Sequence, residues 1–244
     1  MSAAADGSIG LLSLTGNNVA WLFDERLNGM EISADPAVPG AVGIDLAGLS
    51  AAAEDRIWYF FDNAGVTQVW FPVGCGNFGS TVLIDPGPAP EPDLSVGGLG
   101  IAYLVGRSGR LFQWVPTTQQ FQLRFPAPIY RKVSVDPNGF PWVVDVNGRV
   151  LRFDGALDDW VVLANDRFRA RDIDVGPSGD MFIVGTDFRL RRYNVSNDDF
   201  DEVSGISGSV VQVAVDADGL PWLAVVRDLN DPEFEYELFR AARR

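Results

Sequence analysis

Six times along this chain an aromatic residue stands five positions after a turn-forming position. The copies run Gly16 to Trp21, Gly65 to Trp70, Gly109 to Trp114, Gly148 to Phe153, Phe188 to Tyr193 and Phe234 to Phe239. The aromatics are spaced 49, 44, 39, 40 and 46 residues apart. A unit of that length cannot bury an apolar face alone and must stack on copies of itself, which restricts the chain to a radial or solenoid array.

The clearest unit spans residues 131–170 and reads as four short strands. Lys132-Val133-Ser134-Val135 alternates, as a half-buried strand does. Asp136-Pro137-Asn138-Gly139 is a turn, Pro141 to Asp145 a second strand, and Asn147-Gly148 a hairpin signal. Arg149 to Phe153 is the third strand, Asp154-Gly155 turns the chain, and Trp160 to Leu163 is the fourth. A shift of 40 residues carries Val135 to Val175 and Val215, Gly139 to Gly179 and Gly219, and Trp142 to Phe182 and Trp222. Val96, Gly100 and Tyr103 precede their counterparts by 39. Trp58 to Phe61 and Val69 to Pro72 are the second and third strands of a looser unit, and Leu11 to Leu14 and Val19 to Phe23 those of the first.

Four strands per repeat with almost no helical period predict an all-β fold, a six-bladed β-propeller in one domain. The repeats fall at approximately 1–40, 41–90, 91–130, 131–170, 171–210 and 211–244. The alternating first strand is expected to line the central channel, and the apolar second and third strands to be sandwiched between blades. Asp6-Gly7 aligns with Asp218-Gly219, so the first blade is expected to lack its inner strand; the last is expected to lack its outer one. Both terminal blades then have three strands, or are completed by another chain through their open edges.

The composition excludes much chemistry. There is no histidine, and Cys75 is the one cysteine, so neither a Ser-His nor a Cys-His pair nor an intrachain disulfide can be built. One sulfur ligand and no imidazole cannot make a structural zinc site. A net charge of −14 repels phosphate backbones and anionic membranes, so no nucleic-acid partner and no membrane insertion are expected. Neither a secretory signal nor an apolar run long enough to span a bilayer is visible, and the location of the protein is left open. Of nineteen basic residues all but Lys132 are arginine.

Trp160-Val161-Val162, Ala170 to Gly179, Phe182 to Gly185 and Arg189 to Tyr193, taken in sequence, resemble a tectonin repeat. That family's pattern is W-x-x-V, then A-x-x-I-A-V-G-x-D-G, then a W-x-V strand and a G-x-I-Y-R-Y strand. The later four units match it and the first two only loosely. The resemblance implies a six-bladed propeller of the tachylectin type that binds a cell-surface glycan or lipopolysaccharide. No cofactor is implied.

The candidate ligand contacts are Arg110, Arg149 and Arg189, each just after the turn between second and third strands. Such a row can grip the carboxylates or phosphates of an acidic glycan. The plainer expectation is pairing with nearby carboxylates such as Asp145, Asp154 or Asp187. Trp142, Phe182, Trp222 and Tyr103 share one strand position and could stack on sugars, though inter-blade core is the simpler role. The turns at Asp136 and Asp216 are oxygen-rich but far shorter than a calcium loop, so no metal is assigned. An acidic stretch bearing Asp231, Glu233, Glu235 and Glu237 is a candidate docking surface for a protein partner. A structural or adaptor propeller within a larger assembly is the main alternative to a lectin. A sialidase-like glycosidase is a remote one, because Ser134 to Trp142 only approximates that family's aspartate box and occurs once. No enzyme activity is expected.

Overall fold

The computed structural model describes residues 2–3, 9–12, 20–24, 29–32, 41–46, 57–63, 66–74, 77–87, 92–97, 100–127, 129–216, 218–229 and 236–241, with the side chains of most of them from residue 79 onward and of a few between 58 and 73. Apart from a 3-10 turn at Ala164–Asp166, the regular elements among the described residues are strands, and they form six sheets. Sheet 1 holds β1 (Ser2–Ala3), β2 (Ile9–Leu12), β3 (Ala20–Asp24) and β4 (Gly29–Ile32). Sheet 2 holds β5 (Ala41–Leu46), β6 (Ile57–Asn63), β7 (Val66–Gly74) and β8 (Asn77–Ile84). Sheet 3 holds β9 (Asp93–Val96), β10 (Ala102–Val105), β11 (Leu111–Val115) and β12 (Gln120–Phe125). Sheet 4 holds β13 (Tyr130–Val135), β14 (Pro141–Asp145), β15 (Val150–Asp154) and β16 (Asp159–Val162). Sheet 5 holds β17 (Ala170–Val175), β18 (Met181–Gly185), β19 (Leu190–Asn194) and β20 (Asp199–Glu202), and sheet 6 holds β21 (Ser209–Val215), β22 (Pro221–Val226) and β23 (Tyr236–Arg240).

Within every sheet, consecutive strands pair antiparallel. The first strands β1, β5, β9, β13, β17 and β21 lie side by side in that order, and β21 returns to β1. This is an all-β propeller with the first strand of each sheet at the centre. The repeating turns explain the regularity. Gly100, Gly139, Gly179 and Gly219 take φ between 72° and 84° between first and second strands. Gln119, Asp158 and Asp198 take φ near 50° just before the fourth strands.

One expectation is overturned. The first sheet does have its inner strand: β1 pairs with β2 through Ser2↔Gly10 and Ala3↔Ile9. It escaped notice because two small residues carry no alternating apolar signal. The first sheet therefore needs no strand from another chain at its inner edge. In sheet 6 three strands lie among the described residues.

The core sits between sheets, as the sandwiched strands predict. Trp58, Phe60, Val69 and Phe71 of sheet 2 pack on Leu94, Trp114 and Phe121 of sheet 3. Phe71 and Trp114 are 4.5 Å apart, and Trp58 meets Trp114 edge-on at 5.4 Å. Sheets 3 and 4 close over Tyr103, Val105, Leu111, Val133 and Leu151. Between sheets 4 and 5, Trp142, Val144, Ile173 and Ile183 are buried together. Burial of each such side chain contributes about 1.5–3 kcal/mol. Trp114, Phe153, Tyr103, Trp142 and Phe182 are buried. They therefore build the interfaces between sheets rather than stacking platforms for a sugar.

Candidate functional site: an arginine-bearing face

Chain direction fixes two faces. One carries the turns between second and third strands and the connections from fourth strand to next first strand. The other carries the remaining turns. Between residues 97 and 208 the loops of the first face hold Arg107, Arg110, Arg149, Arg167, Arg169 and Arg189 against Asp166 and Asp187. The loops of the opposite face hold Asp136, Asp158, Asp180 and Asp198 and no basic residue. The three predicted arginines thus share one face of sheets 3, 4 and 5.

Backbone hydrogen bonds lock each arginine-bearing turn to the next sheet. Tyr130 N donates to Gly109 O at 2.8 Å, Ala170 N to Gly148 O at 2.7 Å, and Val210 N to Phe188 O at 3.0 Å. The turn residue takes a left-handed conformation each time, with φ of 76° at Gly109, 79° at Gly148 and 62° at Phe188. Phe188 therefore holds a backbone geometry that its two counterparts reach with glycine.

The three arginines differ in what they touch. Arg149 Nε donates to Asp145 Oδ2 at 2.6 Å, and the Asp145 side chain is fully buried. The other Asp145 oxygen accepts from the backbone N–H groups of Asn147 and Arg149. The Asp145 hydrogen bond raises the Arg149 pKa above its ordinary value. Arg189 pairs with Glu202 on the surface. Arg110 is exposed and has no ion-pair partner among the described residues. Near Arg189, Arg191 grips Asp187 in a two-pronged pair, which holds that carboxyl at about 2.

Two further arginines were not singled out in the sequence. The first strands of sheets 4 and 5 each begin with a bulge. Tyr130 pairs with Asp145 and Lys132 with Val144, so Arg131 opposes nothing. Ala170 pairs with Gly185 and Asp172 with Val184, so Arg171 opposes nothing. Both are exposed on the arginine-bearing face, where bulges re-aim side chains. The sequence signal was present in the Arg131–Arg171 spacing, but the bulge that gives it meaning depends on pairing register.

The channel side is built differently. Ser95 Oγ accepts from Val135 N, Ser134 Oγ from Val175 N, and Asp174 Oδ2 from Val215 N, so one side chain per sheet ties each inner strand to the next. Asp93 and Asp172 accept likewise from Val133 N and Val213 N. Lys132, at the intervening position, pairs with Asp93 at 2.9 Å. Burial pushes the Asp174 carboxyl up to about 6, against the hydrogen bonds from Val215, Ser134 and Val175 that lower it. Burial also raises Asp172, which the Lys132 charge partly offsets.

The oxygen-rich turns have their carboxylates occupied. Asp136 accepts from Asn138 N, Phe140 N and Trp142 Nε1, and Asp216 from Asp218 N, Leu220 N and Trp222 Nε1. Among the described residues no cluster of three or more metal-ligating side chains is found. Of the acidic docking stretch, Glu237 pairs with Arg227 at 2.6 Å. Asp231, Glu233 and Glu235 lie outside the described residues.

Comparison with known proteins supports the architecture and nothing finer. No family model matches the chain, and no curated protein sequence does. Among solved structures, 836 chains match, a breadth that defines a fold rather than a function. One is the β-propeller domain of Cps50 (Swd1) from Myceliophteria thermophila, with a TM-score of 0.55 and 13% identity, covering 82% of this chain and 72% of that one. At that identity the likeness shows the propeller alone.

Proposed function

We propose that this chain is a non-enzymatic, six-bladed tectonin-like propeller whose arginine-bearing face binds an acidic glycan of a cell surface. The observation that carries the reading is the concentration of arginine on one face of sheets 3 to 5 in a chain of net charge −14. Exposed guanidinium groups on rigid turns offer planar donor pairs that match a carboxylate. A dense polyanion such as a nucleic acid is opposed by the overall charge. A sugar with isolated carboxylates is not, because charges beyond about 8 Å are screened at physiological salt. The absence of histidine removes the commonest general base, and the turn carboxylates are occupied by their own backbone.

A glycan array containing uronate- and sialate-bearing glycans beside their neutral counterparts tests this. Binding confined to acidic glycans, weakened by salt, is expected; an array with no acid-dependent signal rejects it.

A specific observation favours a second reading, a propeller that acts as an adaptor in an assembly. The outermost strand of sheet 2, Asn77 to Ile84, has no charged residue, and its Val82 and Ile84 are 56% and 74% exposed. Val66 and Trp70 on the neighbouring strand continue that surface. An uncharged strand at a sheet edge is a template for pairing with another chain. Light scattering on the purified protein separates the readings, since a monomer at all concentrations removes this support.

A further inference from the structure

We infer that the anchor for the ligand's carboxylate is the seam between sheets 3 and 4, where the backbone sets Arg110 and Arg131 beside each other, and not the row of turn arginines as a whole. The inference rests on the acidic-glycan reading and narrows it to two residues.

The argument is one of unspent donors. Around this face the other arginines are committed: Arg149 to buried Asp145, Arg167 to Asp199, Arg169 to Asp166 and Arg189 to Glu202. Arg171 lies 4.6 Å above the Phe188 ring. Arg110 and Arg131 are exposed, and among the described residues neither has an ion pair or an aromatic ring against it. Yet the chain contains 33 acidic residues, ample to neutralise them. Two neighbouring cations with no carboxylate against them among the described residues form a site that accepts one from outside.

Position brings the two together. The hydrogen bond from Tyr130 N to Gly109 O joins the residue before Arg131 to the residue before Arg110. The left-handed turn at Gly109 fixes where Arg110 starts, and the bulge after Tyr130 turns Arg131 out of the ladder. Both ends of the pair are thus set by backbone geometry rather than by flexible loop. In the chain just before Arg131, Pro126 and Ala127 are exposed and uncharged, a surface on which the apolar face of a sugar ring can rest. At the next seam the equivalent pair, Arg149 and Arg171, is already occupied by Asp145 and Phe188, so of these two seams only the first is open.

The experiment is a titration monitored through the arginine Nε–H signals, assigned with single variants. The probes are a short galacturonate oligomer, a neutral galactose oligomer and a hexaglutamate peptide. The galacturonate oligomer is expected to shift the Arg110 and Arg131 signals while those of Arg149 and Arg189 stay in place. The neutral oligomer is expected to shift none. Affinity should fall at least ~tenfold in the Arg110→Gln, Arg131→Gln double variant, as expected for loss of a charge-assisted pair. If galacturonate binds but shifts other arginines, or the double variant binds it equally well, the seam is overturned while the glycan reading stands. If hexaglutamate alone binds through both arginines, the seam is an anion site but the sugar ligand and the glycan reading both fall. Binding of no probe overturns the proposal outright.

Discussion

At the scale of single residues, carboxylates in similar turns serve opposite ends. Asp145 is buried and depends on Arg149, so Arg149→Gln leaves a carboxylate short of its charged donor and should cost about 1–3 kcal/mol of stability. Arg189 pairs with Glu202 in the open, and Arg189→Gln should change stability by less than about 0.5 kcal/mol. Chemical denaturation of the two variants reads that difference directly. Asp174 supplies a pH signature. Its folded pKa of about 6 exceeds the ordinary 3.8, so the protonated form favours folding. The contribution is complete below 3.8 and is lost as the pH rises through about 6, a change of up to roughly 3 kcal/mol. Asp187 acts in the opposite sense. Held at about 2 by Arg191, it supports the fold above 3.8 and stops doing so as the pH falls through about 2. From these two groups, urea midpoints should decline from about pH 4 to about pH 6, and Asp174→Asn should flatten that decline.

At the scale of elements, the turns set what the sequence could reveal. The strands from Tyr130 to Val162 match their predicted limits to within a residue or two, because Asp136 to Gly139 and Asn147-Gly148 specify tight turns by residue type alone. The two-residue strand β1 was missed, since Ser2 and Ala3 have neither β-branching nor alternation. Arg131 was missed for a different reason. Its exposure comes from a bulge, and a bulge exists only relative to the partner strand. The row of Arg110, Arg149 and Arg189 was legible, but which of them has a free guanidinium depends on side chains such as Glu202 that lie outside the turn. The turn glycines allow a direct comparison. Gly148 and Gly179 both have positive φ, at 79° and 84°. A methyl group at Gly148 would meet Ala170 O at 3.0 Å, the carbonyl of the neighbouring sheet's first residue, while one at Gly179 meets nothing within 4 Å. Gly179→Ala should therefore cost about 1–2 kcal/mol from backbone strain alone. Gly148→Ala should cost measurably more, with hydrogen exchange quickened at the Ala170 amide that the Gly148 carbonyl holds.

At the scale of the whole molecule, closure decides stability. Among the described side chains, sheets 2 to 6 bury large residues against their neighbours, so a sheet at a gap would expose one apolar face. The inner strands run in sequence from β1 to β21, and the short β1 lies against both β5 and β21. A strand of two residues thus stands where the first sheet meets the last. Its own hydrogen bonds with Gly10 and Ile9 are worth about 0.5–1.5 kcal/mol each, a small sum by itself. Its removal nevertheless acts at the joint that keeps the array from behaving as an open stack, where the end units fray first. Deleting residues 1–3 should lower the melting temperature by several degrees, at about 2–4 °C per kcal/mol for a chain of this size. The loss should also be unevenly distributed. Amide exchange should quicken first in β2, in β5 and in β21 to β23, which lose a neighbour, while β13 to β16 stay protected between sheets 3 and 5. Uniform acceleration across all sheets would mean that the array melts as one unit and that the joint at β1 has no special place in it.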